Sequence, residues 1–436
     1  MLTQGEQEEK SWIKPFNVVF KSSFERVMKE FFKVAGLEEV LSLRRGFKPL
    51  RTETVATIES LDRVLAEEVI SDVDIPGFSR STMDGYAIQS ASTFGASESH
   101  PAFLTIVGAV AMGQAPQFAV NQGQAAKIAT GGMLPDGADC VVMIEQTDLM
   151  ADNAIEVFKS MTPGQNVIER GEDLKKDKSI LGSGRRIRPQ EQGLLAASGK
   201  QSVRVYKKPV VGIISTGDEV VAIDRQPQMG QIRDINSFTL AAMVTQVGGI
   251  PVTYGIAKDN ADDLKGKCIA ALADSDMVLI SGGSSVGLRD LTIDVLESLP
   301  KARVLIHGIS ISPGKPTILA RSDEKIIWGL PGHAVSAMVV FLAVVKPFLS
   351  YLEGIPINTA VVPLPTARLT RNIPSVQGRV DYIRVRLVER DGELWAEPVL
   401  GKSGLIRTMV EAQGLVAIDL NQEGLEQGTP VRVLPI

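Results

Sequence analysis

Cysteine and histidine are the scarcest reactive residues in this sequence. Only Cys140 and Cys268 occur, too few for a disulfide framework or a thiolate metal site, which favours a reducing cytoplasm. The three histidines, His100, His307 and His333, are not spaced like a zinc-binding pair. Zinc chemistry and histidine-based acid–base catalysis are therefore disfavoured as explanations of what the protein does.

Long apolar runs and an excess of positive charge are also missing. The longest strongly apolar run, 337–345, is far shorter than the roughly 18 residues that span a bilayer. The formal net charge of −5 disfavours a general electrostatic attraction to nucleic acid or to anionic membranes. The first ten residues, MLTQGEQEEK, are polar and acidic, so we expect neither a secretory signal nor a transit peptide there.

What the sequence does contain is typical of a folded globular protein with many turns. Hydrophobic residues make up 44% and charged residues 22%, and there are 40 glycines and 23 prolines. At roughly 150 residues per domain, a chain of 436 residues predicts about three domains. Residues 1–30 carry aromatic residues at helical spacing and are predicted to form an amphipathic N-terminal extension.

The first half of the chain changes character twice. Residues 31–75 have a helical pattern, including a helix predicted to start at Thr57 or Ser60 and to continue through LDRVLAEEVI. Residues 76–170 carry short apolar runs between turns and are predicted to be mostly β, whereas residues 171–205 combine short strands with one helix. We therefore expect 31–75 and 171–205 to form one discontinuous linker domain, with the β-rich domain inserted in it.

From residue 206 onward, strands alternate with helices. Runs such as PVVGIIS, VTYGIA, MVLIS and KIIWGL alternate with helices of ten or more residues up to residue 355. This rhythm predicts a doubly wound, mostly parallel α/β sheet that is covered on both faces. Residues 356–436 lose the helices and carry a hairpin turn at Asp391-Gly392, which predicts a small β-barrel or sandwich. The predicted fold class is a multidomain α/β protein.

Three glycine-rich loops follow strands of the α/β region: STGDE (215–219), SGGSSVG (281–287) and GLPGHAVS (329–336). Each alone is more often a tight turn, but the carboxyl ends of parallel strands meet at one edge, so all three loops are expected there together. Glycines permit close backbone approach, and free N–H groups favour phosphate. We expect Thr216, Gly217, Gly282 and Gly283 to bind a phosphorylated ligand, although neither a Walker loop nor a G-x-G-x-x-G fingerprint is present.

Charged side chains accompany these loops. Lys315, in the turn PGKP, is either a solvated surface lysine or an oxyanion-binding group. The candidate carboxylates are Asp218, Glu219, Asp234 and Asp290, with Asp84 earlier in the chain. Each alone is more often a turn or cap residue, but carboxylates beside phosphate-binding loops normally hold Mg²⁺. The set predicts metal-assisted chemistry on a phosphorylated small molecule.

Seven motifs resemble, in the same order, those of molybdopterin molybdenumtransferases, the MoeA family, which is related to the E-domain of gephyrin. They are PGFSRSTMDGYAI (76–88), ATGGMLPDGADCVVMIEQ (129–146), GQNVIERGEDL (164–174), STGDEVV (215–221), SGGSSVGLRD (281–290), PGKP (313–316) and GLPGHAVSA (329–337). The resemblance runs from about residue 31 to residue 436. It implies an elongated homodimer whose subunits have four domains, with 206–355 as the molybdopterin-binding domain and a C-terminal β-barrel.

The resemblance also implies a reaction in molybdenum cofactor biosynthesis. Enzymes of this family take adenylylated molybdopterin and molybdate and, with Mg²⁺, release AMP while the pterin dithiolene captures the metal. By motif match, the oxyanion-binding candidates are Lys315, Ser336, Ser403 and either Arg379 or Arg384. The implied magnesium ligands are Asp218, Asp234 and Asp290, and the implied catalytic residues are Asp84, Ser285, Asp218 and Asp290. Asp84 is implied to lie near the cleft of the partner subunit.

The sequence departs from the family's motifs at several positions. His333-Ala334 replaces Asn-Pro, Leu288 replaces an acid, and Ser312 stands where a lysine is common. His333 either adds positive charge or only fills the space of the asparagine. Three alternatives stay open: a tungstate-inserting variant, a non-catalytic pterin-binding or scaffold paralogue, and an adenylyltransferase. The expected partners are the small-molecule substrates, a second copy of the chain and the molybdopterin adenylyltransferase, with no nucleic acid and no membrane.

Overall fold

The protein, seen here as a computed structural model, is described over residues 34–150, 153–282, 286–357 and 364–436. These residues divide into two compact units. The first contains residues 34–53 together with Tyr206–Ile436, and the second contains Thr54–Val205. The N-terminal extension predicted for residues 1–30 lies outside the described residues.

A six-stranded sheet forms the centre of the first unit. Its strands lie in the order Ile250–Ala257, Val210–Thr216, Met277–Ser281, Lys325–Leu330, Ile318–Ser322 and Ala302–His307. The first four strands are parallel, and the last two are antiparallel to their neighbours. The predicted doubly wound, mostly parallel sheet is confirmed.

Each face of this sheet is covered by helices, and alternate strand residues enter opposite cores. Met277 and Leu279 belong to one apolar cluster, whereas Val278 and Ile280 belong to another. The first cluster is closed by Asn236–Gln246, Ala334–Val340, the π-helical turn Phe341–Val345 and Lys346–Leu352. The second is closed by Ala261–Asp274 and Val286–Ser298. Strands buried on both faces need continuous apolar runs, which is the pattern seen in the sequence.

The helical segment Ala334–Leu352 is long and apolar enough to cross a membrane, judged by length and composition alone. In the structure, 61% of its most apolar window is buried inside the protein. Phe341 and Phe348 pack in the core that contains Trp328, and the rings of Phe348 and Trp328 are 5.1 Å apart. A helix buried on most of its faces requires such a composition.

Residues 34–53 belong to the α/β core. They form the helix Leu37–Ser42 and the 3₁₀ turn Leu43–Gly46, and Val40 and Phe47 are buried with the sheet residues. The backbone N–H of Leu50 donates to the carbonyl of Leu352 at 2.8 Å. The segment 31–75, predicted as part of one linker domain, is therefore divided, because its first apolar residues pack against the long C-terminal helix of the α/β region.

A closed five-stranded barrel occupies the C-terminal region of the first unit. Around the barrel the strands are Val380–Arg390, Glu393–Pro398, Thr366–Leu369, Pro430–Pro435 and Gly414–Ile418, the last pairing with the first. The smaller elements are Ile373–Pro374, Arg407–Val410 and Gly424–Leu425. Asp391 and Gly392 have φ of 52° and 77°, as the predicted hairpin turn requires. The strand Ile311–Ser312 pairs with Val380–Arg390 and joins the barrel to the α/β region.

A second six-stranded sheet dominates the unit Thr54–Val205. Its order is Cys140–Met143, Gly85–Ile88, Gln124–Ile128, Ala102–Ala109, Ala154–Val157 and Thr147–Met150. Short strand pairs accompany it: Thr52–Ala56 with Ser202–Tyr206, Val69–Ile70 with Ser179–Leu181, and Arg80–Ser81 with Val167–Ile168. The helix Pro189–Ala197 matches the helix predicted in 171–205. The short apolar runs of 76–170 thus form the predicted β-rich region.

The helix predicted to start at Thr57 or Ser60 is wrong. One turn of 3₁₀ helix forms there, and Asp62 then adopts the left-handed conformation with φ of 61°. Leu65 is fully buried and forms a single β-bridge with Val205. The apolar spacing that suggested a helix instead belongs to an irregular segment in which Val64 and Leu65 are buried and form bridges to residues far away in the chain, whereas Leu61 is exposed.

Candidate active site

The three glycine-rich loops meet in one cavity of about 300 Å³ at the carboxyl-terminal edge of the central sheet, here called the edge cavity. It is lined by Ser215, Thr216 and Glu219 of the first loop, Ser281 and Gly282 of the second, and Gly332, His333 and Ala334 of the third. Arg233, Asp234, Asn236 and Gly404 add to the lining. The prediction that all three loops share one edge is confirmed.

Gly282 brings the second loop against the backbone of the first. Its φ is 129°, and a Cβ placed on it would lie 2.2 Å from the carbonyl oxygen of Thr216. Its N–H donates to the carbonyl of Leu330 at 3.3 Å, so this one residue touches the ends of two neighbouring strands. Only glycine combines this conformation with this contact.

A buried carboxylate, Asp234, organises one wall of the edge cavity. It is 8% exposed and accepts hydrogen bonds from the hydroxyl of Ser215 at 2.8 Å and the N–H of Ser237 at 3.1 Å. The two serine hydroxyls lie 2.9 Å apart. Within the described residues these partners are all uncharged, so the carboxylate is held in place without a neutralising cation.

Asn236, which was not among the predicted site residues, connects the second and third loops. Its amide nitrogen donates to the hydroxyl of Ser281 at 2.6 Å and to the carbonyl of Gly332 at 2.8 Å. It begins the helix Asn236–Gln246 that covers one face of the sheet. This amide side chain therefore adds a link between the two loops beyond the bond from the Gly282 N–H to Leu330.

Asp218 is paired with an acid that the sequence analysis missed, Asp259. Each backbone N–H donates to the other residue's carboxylate at 3.2 Å, and the hydroxyl of Thr216 also donates to Asp259 at 3.2 Å. Asp259 follows the parallel strand Ile250–Ala257, and that position at the active edge was a signal that could have identified it.

The donor set at this edge suits Mg²⁺ only together with a phosphorylated ligand. Across the described ranges, no group of three or more His, Cys, Asp or Glu side chains is arranged to hold a metal ion. Mg²⁺ is commonly bound by one or two carboxylates plus substrate phosphates and water, and the exposed Asp218 and Glu219 offer such oxygens. The side chain of Asp290, together with Gly283 and Ser285, lies outside what the structure describes.

The predicted oxyanion-binding residues come from several segments of the first unit. Lys315 is exposed on its turn, Ser336 is 5% exposed within its helix, and neither is among the residues that line the edge cavity. Ser403 reaches the cavity through His333, whose Nδ1 lies 2.8 Å from the Ser403 hydroxyl.

Both candidate arginines are engaged within the barrel. Arg379 forms an ion pair with the buried Asp381 at 2.9 Å. Arg384 donates to the hydroxyl of Thr408 and to the carbonyl of Gly401, each at 2.6 Å, and burial lowers the pKa of its guanidinium. Arg384 therefore holds the loop that carries Ser403.

Asp84 belongs to the second unit, whereas the residues of the edge cavity belong to the first. Its carboxylate accepts from the N–H of Thr130 at 2.7 Å and from the Thr130 hydroxyl at 2.9 Å. The bond from the Thr130 N–H, followed by that from its hydroxyl, holds the pKa of the Asp84 carboxyl below its usual value. Asp84 is thus an exposed carboxylate kept charged by one neighbouring loop.

The two cysteines have no part in this site. Both are buried, and burial raises the pKa of the Cys140 and Cys268 thiols to about 12. Thiols with such a pKa are poor nucleophiles and poor metal ligands near neutral pH.

Three sequence-family models match the chain in order. The MoeA N-terminal region (domain I and II) matches residues 35–199, the probable molybdopterin binding domain matches 212–351, and the MoeA C-terminal region (domain IV) matches 366–436. A molybdopterin molybdenumtransferase of Haemophilus influenzae is 32% identical, with 89% of this chain and 94% of that protein covered. One of Bacillus subtilis is also 32% identical, with 88% and 90% covered.

Solved structures agree with the sequence relatives. A crystal structure of a molybdopterin biosynthesis MoeA protein from Pyrococcus horikoshii is 31% identical, covers 93% of this chain and 100% of that chain, and has a TM-score of 0.79. A second, from the same organism, is 36% identical, covers 92% and 99%, and has a TM-score of 0.75. The chain, with its edge cavity and its C-terminal barrel, therefore belongs to the MoeA family.

Proposed function

We propose that this protein is a molybdopterin molybdenumtransferase that inserts molybdate into the dithiolene of adenylylated molybdopterin, with Mg²⁺-dependent release of AMP. One observation carries the proposal: three glycine-rich loops converge on a cavity lined by hydroxyls, backbone groups and carboxylates that lack cationic partners in the described chain. Relatives named molybdopterin molybdenumtransferase support transfer of molybdenum to molybdopterin. The adenylylated substrate, Mg²⁺ and the release of AMP are added from the resemblance of the sequence motifs.

Some residues of the chain bind the substrate, and others supply carboxylate oxygens beside it. Gly282 lets the second loop approach a ligand with backbone alone, and Thr216 offers a hydroxyl beside it. Asp218 and Glu219 provide exposed oxygens in the first loop, and Glu219 lines the edge cavity. Asp218 and Glu219 would hold Mg²⁺, which would supply charge neutralisation at the substrate's phosphates and orient water.

Substrate capture in this scheme needs no protein thiolate. The dithiolene sulfurs belong to the pterin, so the protein has to supply only oxygens, amides and positive charge. The buried state of Cys140 and Cys268 is compatible with that division of labour. Molybdate is a dianion, and hydrogen-bond donors suit its oxygens.

The test is a defined reaction with purified protein. Adenylylated molybdopterin is incubated with Mg²⁺ and either molybdate or tungstate, and AMP release and active cofactor are measured. We expect AMP release that needs both Mg²⁺ and molybdate. Pterin binding without AMP release would reject the transferase and favour a binding or scaffold protein, and faster turnover with tungstate would change the assigned oxyanion.

A matched pair of variants on one helix refines the test. Both Asp290 and Asp294 lie in Val286–Ser298, and Asp294 is exposed. We expect Asp290→Asn to preserve pterin binding and to suppress AMP release, while Asp294→Asn leaves both unchanged. Equal turnover in the two variants would remove Asp290 from the mechanism.

We also propose that the enzyme works as a homodimer in the cytoplasm and contacts the adenylyltransferase that makes its substrate. The exposed, charged Asp84 in the second unit supports a role at a site completed by another subunit. Mixing Asp84→Asn protein with Asp290→Asn protein tests this idea, because shared sites restore activity in mixed dimers. No recovery of activity after subunit exchange, or a monomeric active enzyme in light scattering, would reject the dimer.

A further inference from the structure

His333 lies in the third loop, where the sequence departs from the family pattern. Its imidazole is hydrogen-bonded through one ring nitrogen, Nδ1. Nδ1 lies 2.8 Å from the hydroxyl of Ser403, and the N–H of Val335 donates to the Ser403 carbonyl at 3.2 Å. Two hydrogen bonds therefore join the start of the long helix to one loop of the barrel. They fix both the position of Ser403 and the rotation of the histidine ring.

The loop that carries Ser403 is itself restrained. Arg384 donates to the carbonyl of Gly401 and to the hydroxyl of Thr408, so both ends of its planar guanidinium are engaged. Below the loop, Val335 packs in an apolar cluster with Met409 of the barrel. Ser403 is thus a fixed partner rather than a mobile one, and it determines which ring nitrogen of His333 faces it.

The other ring nitrogen, Nε2, has no hydrogen-bond partner in the described part of the chain. His333 is exposed and lines the edge cavity beside Gly404. A Cβ placed on Gly404 would lie 3.8 Å from Cδ2 and 4.0 Å from Nε2, so the absence of a side chain there leaves this edge of the ring open.

Besides His333, the edge cavity is lined by one basic side chain, Arg233, part of whose guanidinium is already engaged. Arg233 donates to the carbonyl of Ile223 and to the side chain of Gln226, each at 3.2 Å. Glu219 and Asp234 are acids. A ligand with anionic oxygens therefore has few positively polarised side-chain groups to meet here besides the imidazole.

We propose that His333 contacts the substrate directly, its Nε2–H donating a hydrogen bond to an anionic oxygen while Ser403 holds Nδ1. In the neutral ring, the Ser403 hydroxyl donates to Nδ1 and the proton is on Nε2. In the protonated ring, Nδ1–H donates to Ser403 and Nε2 keeps its proton, so Nε2 is a donor in both states. The inference rests on the proposed function and assigns His333 to that same site.

Two substitutions separate the two nitrogens. In His333→Asn the short amide replaces Nδ1 and can still bond Ser403, but nothing replaces Nε2. In His333→Gln the longer amide can reach the position of Nε2. His100→Asn, the same replacement at an exposed histidine of the other unit, is the control.

The full-length protein is titrated calorimetrically with molybdate and, separately, with phosphate, and KM is measured for molybdate and for adenylylated molybdopterin. We expect His333→Asn to weaken binding of one oxyanion about tenfold, the size of one hydrogen bond to a charged group, with kcat within about threefold of wild type. His333→Gln should recover most of the affinity, and His100→Asn should match wild type. Ser403→Ala should not add to the effect of His333→Asn.

The pattern of KM changes identifies the contacted oxygen. A higher KM for molybdate assigns it to the oxyanion, and a higher KM for the pterin assigns it to the phosphate. Wild-type affinities and both KM values unchanged in His333→Asn would overturn the contact while leaving the transferase intact. If the wild-type protein releases no AMP, the proposed function fails, but the calorimetric comparison still decides whether His333 binds an anion.

Discussion

Two buried carboxylates, one in each unit, are stabilised in different ways. Glu191 is 3% exposed and accepts from the guanidinium groups of Arg185 and Arg188, each at 2.6 Å. Hydrogen bonds from Arg188, acting against the effect of burial, lower its pKa from 4.5 to about 2. It is also the third residue of the helix Pro189–Ala197 and bonds the N–H of Arg188, which closes the helix start.

Asp234 is buried to a similar degree, but its partners are the Ser215 hydroxyl and a backbone N–H. A buried charge normally has an ionic partner or binds a metal, because burial without compensation is costly. The contrast teaches that burial alone does not mark function. The informative feature is a buried carboxylate whose place is fixed by neutral donors beside a cavity, because such a group is still able to interact with a charged ligand.

Among substitutions at the edge cavity, Gly282→Ala should have the largest effect. The strained φ and the 2.2 Å approach to the Thr216 carbonyl should together cost about 4 kcal/mol of stability and abolish AMP release. Gly266→Ala is the control, since nothing lies within 4 Å of Gly266 in its helix, and it should gain about 1 kcal/mol. Chemical denaturation and the AMP assay measure both. Normal stability and turnover in Gly282→Ala would show that the two loops separate freely.

Glu191→Ala should lower the free energy of unfolding without lowering the rate of AMP release. The pKa of Glu191 in the folded protein, about 2, lies below its ordinary value of 4.5. The stabilisation that its ionised carboxylate contributes is therefore fully present above pH 4.5 and is lost as the pH falls toward 2. At pH 7 the variant should lose about 3 kcal/mol, and its stability should converge with that of wild type near pH 2. Denaturation at several pH values checks this.

The exposed pair of Arg386 and Glu397 provides the control for Glu191. Glu397→Ala should cost much less stability, because solvent already screens that pair. If the folded Glu191→Ala protein lost AMP release at saturating substrate, the assignment of Glu191 to stability alone would be wrong.

Asp234→Asn should show the reverse behaviour. The amide keeps an acceptor for Ser215, so the melting temperature should stay close to wild type. The charge is lost, and AMP release should fall about 30-fold, which corresponds to about 2 kcal/mol of transition-state stabilisation. Steady-state kinetics at varied Mg²⁺ measures the effect. Full activity combined with reduced stability would make Asp234 a structural residue like Glu191, and the two buried carboxylates would then not differ in function.

Arg384→Lys should have the smallest effect. A lysine cannot bond both Gly401 and Thr408 in the same planar arrangement, so the Ser403 loop should loosen at a cost of about 1 kcal/mol. The KM for the substrate that His333 contacts should rise a few-fold while the KM for the other substrate stays constant. An unchanged melting temperature and an unchanged KM would show that the loop is held by its apolar contacts instead.

Much of the α/β region could be predicted, because strands buried on both faces must be continuous apolar runs and their loops must share an edge. MVLIS and KIIWGL became adjacent strands, and the loops after them both line the edge cavity. The segment around Leu65 could not be predicted in the same way. Its apolar spacing matches a helix, but the left-handed Asp62 and the bridge to Val205 depend on residues about 140 positions away.

The sequence by itself determined the family, the alternation of strands and helices, and the glycines that bring three loops to one edge, since these follow from local periodicity and ordered motifs. Only the tertiary structure decided which polar groups meet there. Asp259 is hydrogen-bonded to Asp218, and Asn236 connects Ser281 to Gly332. Ser403 orients the imidazole ring of His333. These contacts depend on distances of a few ångströms between segments that are remote in the chain, and no local pattern of residues encodes such distances.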